Sequence, residues 1–511
     1  AGFYTAYSIA LLNVLVGNLN VKGGLVLDAG QFGPFGPGPR YNFAQFPGRA
    51  KLAGIALSRN NFPYEKTSEF KRKQAAGNAY PAQAPWYPAT GNLSSEMVAS
   101  ALNGYPYRAK VWLNHNSNPV YSLNGFKNAL LDKLKDPSIL PLVVSINPFI
   151  NETNAYADYI VPDTVTYESW GISAPWADVV VKSSTIRVPA VEPKVAKTAS
   201  GEPVNLESFL IAVARTLGMP GFGPGALKDK DGNAHDLNTA TDFYLRGMAN
   251  IAWAGGNVLP DASDDDLVVT GMQRHAELLQ AALKPEEWRK VAMIMTRGGR
   301  FDNLDKAWDG QHLKARHQPA QALWSEDLIK MRHSMTGQRF DGCPTWHPTR
   351  LADGTPMREK FNEADYPFLM TSYKSNLMSS MAIAVERLRQ VHPHNPISIN
   401  REDAARLGIG NGQKIRVTSP GGSITGVAIV RDGVMKGAIA IEHGYGHWEL
   451  GARSHQIDGK ATVANPALTT GVLLNNLGFA DPSRGGHVNT WVETVSGAVV
   501  RQGLPVRVER A

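Results

Sequence analysis

Two runs of apolar residues in the first third of the chain each end in a cluster of small polar side chains. Residues 109–113 lead into a polar segment at 114–119, and residues 142–147 lead into Glu152 and Thr153. Between these runs, residues 125–135 repeat apolar positions at the spacing of a helix. This order of strand, helix and strand predicts a right-handed parallel βαβ unit.

The carboxyl ends of parallel strands form an open edge at which ligands bind, because helices cover both faces of the sheet. Asn, Ser and Thr suit such an edge, since they hydrogen-bond at short range without carrying a charge. The residues around these strands that we predict to hold a nucleotide-containing cofactor are Asn114, Asn116, Ser117, Asn118, Pro119, Ser145, Asn147, Thr153 and Asp158.

The C-terminal third has a different pattern, in which short alternating strands are separated by glycine pairs. Residues 366–374 begin with an apolar strand, and residues 394–454 contain several more. A helix predicted from Glu402 to Leu407 ends at Gly408. Many short strands joined by glycine turns indicate a small β-barrel.

Five longer motifs carry a family resemblance. They are LLNVLVGNLNVKGG at 11–24, LNHNSNPVYS at 113–122, VVSINPFINETNAYADYIVPDTVTYESWG at 143–171, HGYGHWELGARSHQ at 443–456 and LLNNLGFADPSRGG at 473–486. Together they resemble the molybdopterin oxidoreductases of the dimethyl sulfoxide reductase family, and most closely its tetrathionate-reducing branch. Asn147 stands where many members of that family carry an Asp.

The resemblance implies an α/β protein in which a parallel-sheet nucleotide-binding domain precedes a C-terminal double-psi β-barrel. Residues 1–30 would end an upstream α/β domain, and residues 31–218 would form the α/β domain that binds molybdopterin guanine dinucleotide. Residues 219–360 would be an irregular connector. Residues 361–511 would form the double-psi barrel, a second domain that binds molybdopterin dinucleotide.

The resemblance also implies roles for residues of the barrel. Cofactor contacts would come from Thr371, Ser372, Lys374, Ser379, Ser380, Tyr445, Asn475 and Asn476. His443 and His447 would be catalytic residues in the substrate funnel, where an imidazole donates a hydrogen bond or a proton. For both histidines, and for Tyr445, simple packing is the alternative.

The expected cofactor is molybdenum bis(molybdopterin guanine dinucleotide). Family members also hold a four-iron four-sulfur cluster, which needs about four cysteine thiolates. Cys343 is the single cysteine of the sequence, so we expect the cluster in an N-terminal part outside this chain and no protein metal ligand within it. Residues 3–12 are an apolar helical run without a start signal. We therefore expect the C-terminal portion of a longer enzyme, inactive by itself.

The activity implied is respiratory reduction of a sulfur oxyanion, such as tetrathionate to thiosulfate. Arsenate, selenate, thiosulfate and polysulfide remain alternative acceptors. The expected partners are an iron–sulfur electron-transfer subunit together with a membrane anchor subunit. The expected location is the periplasm or the outer face of the membrane.

Composition excludes several other classes of protein. The net charge is +7, but Lys and Arg are scattered, which argues against nucleic-acid binding. No run of about 18 apolar residues is present, so we expect no membrane span. No Gly-x-Gly-x-x-Gly fingerprint follows either strand, which argues against a nicotinamide-dependent dehydrogenase. A non-catalytic module that binds a cofactor or docks onto a complete enzyme remains an alternative.

Overall fold

The computed structural model describes residues 2–26, 29–50, 54–91, 93–173, 179–314, 323–378, 385–457 and 459–511. Its α-helices are α1 Phe3–Leu15, α2 Ser68–Ala75, α3 Ser94–Asn103, α4 Pro119–Ser122, α5 Phe126–Ala129, α6 Leu131–Leu134, α7 Leu206–Thr216, α8 Ala240–Trp253, α9 Asp264–Thr270, α10 Ala276–Ala282, α11 Trp288–Thr296, α12 Glu326–Lys330, α13 Met357–Lys360, α14 Glu386–Val391 and α15 Arg401–Arg406.

The strands are β1 Tyr41–Asn42, β2 Val111–His115, β3 Leu142–Asn147, β4 Tyr159–Pro162, β5 Gly171–Ser173, β6 Ser183–Arg187, β7 Gly223–Asp229, β8 Ala234–Leu237, β9 Gly299–Phe301, β10 Phe368–Tyr373, β11 Ile397–Asn400, β12 Lys414–Ser419, β13 Gly422–Arg431, β14 Ala438–Glu442, β15 Gln456–Ile457, β16 Lys460–Ala461 and β17 Leu504–Arg510.

The strands β2, β3 and β4 form a parallel sheet, which confirms the predicted βαβ unit. In this sheet Val111 lies opposite Leu142, and Val144 lies opposite Tyr159. The crossover is two short helices, α5 and α6, and not the single predicted helix. The break falls at Leu130, whose backbone (φ −127°, ψ −12°) leaves the helical region while its side chain stays buried in the core under the sheet.

The C-terminal part contains a closed six-stranded barrel, in the order β10-β14-β11-β13-β12-β17, as the glycine-rich strand pattern predicts. Two strand pairs are parallel (β10 with β14, β11 with β13), and the other four are antiparallel. Its interior is filled by aliphatic side chains such as Ile399, Ile415 and Val506, which are fully buried. Because closure leaves no free strand edge, the barrel is a rigid base for the loops at its mouth.

Residues 219–360 contain more regular structure than the sequence suggests. The hairpin of β7 and β8 pairs with β1, and helices α8 to α11 pack together over one apolar core. Helix α8 is interrupted in sequence by Gly247, which weakens its pattern as a helix. The structure gives the reason for this glycine, since an added Cβ would lie 2.6 Å from the ring of Phe35.

A fully buried ion cluster joins residues 58–105 to residues 481–490. Glu96 on α3 accepts hydrogen bonds from Arg484 at 3.0 and 3.2 Å, and it also bonds Arg59 and Asn489. All three charged side chains are at most 1% exposed. We call Arg59, Glu96 and Arg484 the buried triad. It ties α3 to the chain that follows the barrel turn at 474–477.

Within the described ranges, every helix is too short or too polar to cross a lipid bilayer.

Candidate cofactor site between the parallel sheet and the barrel

The parallel sheet and the barrel meet at a buried carboxylate. Glu152, which follows β3, accepts hydrogen bonds from Nδ1 of His447 (2.9 Å) and from the backbone N–H groups of Trp448 (2.9 Å) and Glu449 (3.0 Å). Its second oxygen accepts from Nδ2 of Asn118 at 2.7 Å. We call this contact, between residues 114–122 and 151–154 on one side and residues 443–449 on the other, the seam.

The charge of Glu152 is held by these donors. Burial alone would raise the pKa of its carboxyl, but the hydrogen bond and positive charge of His447, with Asn118 and the N–H of Glu449, lower it to about 2. Glu152 is therefore ionised at neutral pH and fixes the segment after β14 over the edge of the sheet.

The polar side chains at the sheet edge also hold one another. Oδ1 of Asn118 accepts from the N–H (3.1 Å) and hydroxyl (2.9 Å) of Thr153, whose oxygen accepts from the N–H of Val120 at 3.0 Å. Asn114 donates to the carbonyl of Ser117 at 2.9 Å and to the hydroxyl of Ser145 at 3.3 Å. These predicted site residues lie together. Many of their hydrogen-bonding groups are used within the loops, and so they stabilise the loop conformation.

Three further predicted residues have distinct positions. Asn116 takes a left-handed backbone (φ +44°) that Asn tolerates, and Pro119 begins α4. Oδ1 of Asn147 accepts from the N–H of Phe149 at 3.0 Å, which forms a tight turn at the end of β3.

The structure separates Asp158 from the other predicted cofactor contacts. Its carboxylate accepts from the N–H of Val143 at 2.7 Å, next to the beginning of β3 and so at the amino edge of the sheet. Because ligands bind at the carboxyl edge, this contact serves strand pairing.

The side chains of Tyr445 and His447 lie inside the seam. The imidazole of His447 stacks on the ring of Tyr121 with centroids 3.7 Å apart. The hydroxyl of Tyr121 donates to the carbonyl of Tyr445 at 2.9 Å, and the hydroxyl of Tyr445 donates to the carbonyl of His392 at 2.7 Å. His447 is thus a buried bridge between the two parts of the chain, whereas the sequence predicts a funnel residue.

The turn at 474–477 docks onto the sheet domain on the other side of Tyr121. Asn475 donates to the carbonyl of Tyr121 at 2.8 Å and accepts from the N–H of Gly125 at 2.7 Å through its own carbonyl. The backbones approach so closely that a Cβ on Gly125 (φ +78°) would lie 2.6 Å from the carbonyl carbon of Gly478. Asn475 and Asn476 are therefore placed at the junction by main-chain packing.

A cavity of about 1050 Å³ opens where β10 ends. Ser372, Lys374 and His443 line it, so three predicted residues meet there. Gln502 fixes the strand end by accepting from the N–H of Ser372 (3.1 Å), donating to its carbonyl (2.9 Å) and bonding the hydroxyl of Thr371. Ser379 and Ser380 lie outside the described residues.

The cavity is positively charged. The charged side chains that line it, apart from histidines, are Arg339, Asp341, Arg350, Lys374, Glu493 and Arg501. Both acids are engaged locally, since Asp341 lies 2.5 Å from Nε2 of His347 and Glu493 accepts from the N–H of Ser496 at 2.6 Å. Burial, with the charges of Arg501 and Lys374, lowers the pKa of His443, which keeps its ring neutral at pH 7. This environment favours anions.

Several buried polar atoms along the seam and the cavity have no hydrogen-bond partner among the described residues. They are Oδ1 of Asn475, Oδ1 of Asn476, Nε2 of His447, Nε of Arg350 and Nε of Arg501. An unsatisfied buried polar group costs about 1–3 kcal/mol, so such a concentration fits a polar, anionic ligand with both donors and acceptors. At the seam and the turn at 474–477, a molybdopterin dinucleotide, with its pterin ring and diphosphate, has this chemistry.

Sequence reasoning missed Glu152, Tyr121, Arg350, Arg501 and Gln502. Glu152 directly precedes Thr153, which was predicted as a site residue. Asking which histidine could pair with this acid would have pointed to Glu152 from the sequence. Nothing local in sequence places Arg350 or Arg501 near Lys374.

Among the described residues, no three His, Cys, Asp or Glu side chains lie close enough together to hold a metal ion. Cys343 is a free, half-buried thiol.

Residues 370–495 match the family model described as the molydopterin dinucleotide binding domain. This match confirms the predicted molybdopterin dinucleotide cofactor. It covers most of β10, the strands β11 to β16 and the segment 443–449 of the seam.

The whole chain is similar to subunits of tetrathionate and selenate reductases. It is 45% identical over 510 residues to a tetrathionate reductase subunit of Salmonella typhimurium, covering 100% of this chain and 50% of that protein. It is 34% identical over 481 residues to a tetrathionate reductase subunit of Archaeoglobus fulgidus, covering 88% and 42%. It is 30% identical over 541 residues to a selenate reductase subunit of Mesobacillus selenatarsenatis, covering 100% and 50%.

The chain spans about half the length of the curated relatives it matches. The matched domain and the identity along the whole chain agree with the sequence motifs and with the barrel. This chain belongs to the molybdopterin oxidoreductases of the dimethyl sulfoxide reductase family.

Proposed function

We propose that this chain is part of a molybdenum-dependent oxidoreductase that reduces tetrathionate to thiosulfate. The observation that carries the proposal is the cation-lined cavity at the end of β10, beside the seam and within reach of the dinucleotide-binding barrel. The relatives named as tetrathionate reductase subunits support the choice of substrate.

Residues of the seam and of the barrel mouth would hold the cofactor, molybdenum bis(molybdopterin guanine dinucleotide). Pterin and guanine edges require both hydrogen-bond donors and acceptors. These are offered by the loop at 114–118, the carboxyl end of β10 and the amides of Asn475 and Asn476. The molybdenum supplies two-electron redox chemistry when it is bound. A four-iron four-sulfur cluster would lie in another part of the enzyme.

The cavity suits the charge change of the reaction. When the central S–S bond of tetrathionate accepts two electrons and breaks, one dianion becomes two thiosulfate dianions. The negative charge therefore doubles, and fixed cations such as Lys374, Arg350 and Arg501 stabilise the products and the transition state. His443 is neutral and would donate a hydrogen bond to a sulfonate oxygen.

The organisation proposed from the family accompanies this function. Residues 31–218 and 361–511 would be the two dinucleotide-binding domains, residues 219–360 the connection between them, and the barrel of the double-psi type. An iron–sulfur subunit would deliver electrons, a membrane anchor subunit would hold the complex, and the enzyme would face the periplasm. The naming of the relatives as subunits supports this arrangement.

Reduction assays on the complete enzyme test the proposal. With a reduced viologen as electron donor, we expect tetrathionate to be consumed with two thiosulfate ions formed per molecule. Selenate is the second candidate, because a selenate reductase subunit is 30% identical over the whole chain. Arsenate, thiosulfate and polysulfide serve as comparison acceptors. Enzyme that contains no molybdenum would instead favour a non-catalytic module.

Replacing Arg350 by methionine is expected to raise the KM for tetrathionate about tenfold in the complete enzyme, since a charged hydrogen bond to the substrate is lost. Molybdenum content is expected to stay unchanged. Arg401→Met is the matched control, because Arg401 is exposed and pairs with Asp432 on the barrel surface. An unchanged KM in Arg350→Met would remove Arg350 from the substrate site.

A further inference from the structure

Arg389 is a buried arginine on α14, at the barrel side of the seam. The residue is buried, with 7% of its surface exposed. One nitrogen, Nη2, bonds the carbonyl of Ala467 and the hydroxyl of Thr470. The guanidinium lies over the ring of Tyr445, 5.6 Å from its centroid.

The rest of the guanidinium is unused. Nε and Nη1 are buried without a hydrogen-bond partner among the described residues. In that same part of the chain no carboxylate forms an ion pair with Arg389. The titratable groups that act on it are the phenols of Tyr445 and Tyr121, whose raised pKa keeps them neutral at pH 7. Glu442, the acid near Tyr445, is bonded to His392 through Oε2 at 2.6 Å, and its Oε1 has no hydrogen-bond partner among the described residues.

A buried charge of this kind is costly unless an opposite charge accompanies it. Among the other buried arginines, Arg59 and Arg484 pair with Glu96. Arg300 forms no ion pair, but it donates to the carbonyl oxygens of residues 251, 252 and 257. Arg389 differs from both cases, because it has no acid partner and two of its nitrogens have no acceptor among the described residues. Burial lowers the pKa of its guanidinium. An anion outside the described chain would supply the missing charge and accept the free N–H groups.

The surroundings of Arg389 point to where that anion comes from. Tyr121, one of its two phenol neighbours, belongs to α4 directly after the polar loop at the carboxyl edge of β2. Tyr445 lies on the other side of the seam and accepts a hydrogen bond from Tyr121 through its carbonyl. Arg389 also falls within the matched dinucleotide-binding domain, residues 370–495. The charged part of a dinucleotide is its diphosphate, and guanidinium donors match phosphate oxygens well.

We propose that Arg389 binds a phosphate group of the molybdopterin dinucleotide and that this anion neutralises the buried guanidinium. The inference rests on the proposed cofactor, and it does not depend on which oxyanion the enzyme reduces. It assigns a ligand-binding role to a residue whose contacts within the chain leave two nitrogens unused.

The test uses the complete enzyme with Arg389→Met and Arg389→Lys. The control is Arg387→Met, on the same helix but exposed. Molybdenum is measured by mass spectrometry and guanine nucleotide by acid release, and thermal denaturation is recorded for enzyme from a host with or without molybdopterin synthesis. We expect Arg389→Met to lower both contents about tenfold, Arg389→Lys to lower them less, and the control to leave them unchanged.

Cofactor-free protein separates binding from simple packing. We expect Arg389→Met to denature within a few degrees of the wild type when no cofactor is present, and to lose most of the stabilisation that the cofactor gives the wild type. Full cofactor content in both variants would overturn the proposal. So would full content with a raised KM, which would assign Arg389 to the substrate. Wild-type enzyme that holds the cofactor but leaves tetrathionate unreduced would contradict only the proposed function.

Discussion

Replacing Glu152 by glutamine is expected to lower the free energy of unfolding of the sheet–barrel unit by about 3 kcal/mol, because a buried charge with four hydrogen-bond donors is lost. The side chain is fully buried, and its donors come from both sides of the seam. Urea unfolding of the complete enzyme, followed by tryptophan fluorescence, measures the change.

The matched control is Glu402→Gln. Glu402 also pairs with a cation, Lys436, but at the surface with 69% of its side chain exposed. Exposed pairs contribute about 0–1 kcal/mol, so this variant is expected to unfold like the wild type. Equal stability of the two variants would contradict the role of Glu152 in joining the sheet to the barrel.

The same carboxylate gives a definite pH dependence. The pKa of Glu152 is about 2 in the folded chain, whereas the ordinary value, which applies to the unfolded chain, is 4.5. The unfolded state therefore binds the proton first as pH falls. The stabilisation is complete above pH 4.5 and is lost as pH falls toward 2. In Glu152→Gln this part of the acid sensitivity is expected to disappear.

Replacing Glu96 by glutamine is expected to be more destabilising, by about 4 kcal/mol, since it leaves two buried guanidinium groups without a counter-charge. Arg59 and Arg484 both depend on this carboxylate. Burial, together with both arginines, lowers the pKa of the neighbouring His487 to about 2, so the imidazole gives the cluster no further positive charge at neutral pH.

Thermal and urea unfolding of the complete enzyme measure the effect of the Glu96 substitution. Glu363→Gln serves as its control, because Glu363 is 80% exposed and lies 3.8 Å from Arg358. If Glu96→Gln proves no less stable than that control, the buried triad contributes nothing to the fold.

The local parts of the fold were predictable because their causes are local. Strand β3 is mostly apolar, α7 ends shortly before Gly218, and the pair Gly421–Gly422 marks the turn between β12 and β13. Helices α8 and α11 were missed. Gly247 weakens the helical pattern of α8, the longer of the two. The structure requires a glycine there because of the ring of Phe35, which is distant in sequence.

The sequence predicted where the site lies better than it predicted what each residue does there. Small polar residues at strand ends mark the edge of the sheet, and Asn114, Asn118 and Thr153 do lie there. Asp158 shares their motif, but strand direction puts it at the opposite edge. His447 has its partner Glu152 at a separation of 295 residues, so no local pattern reveals that it is a buried bridge.

Hydrogen exchange of the complete enzyme, compared between cofactor-loaded and cofactor-free protein, tests the central claim that the seam and the barrel mouth hold the dinucleotide. Within this chain, we expect the largest gain of amide protection in residues 114–122, 151–154, 371–374, 443–449 and 473–478. Protection that is unchanged in these segments, or that rises only elsewhere in this chain, would contradict the account.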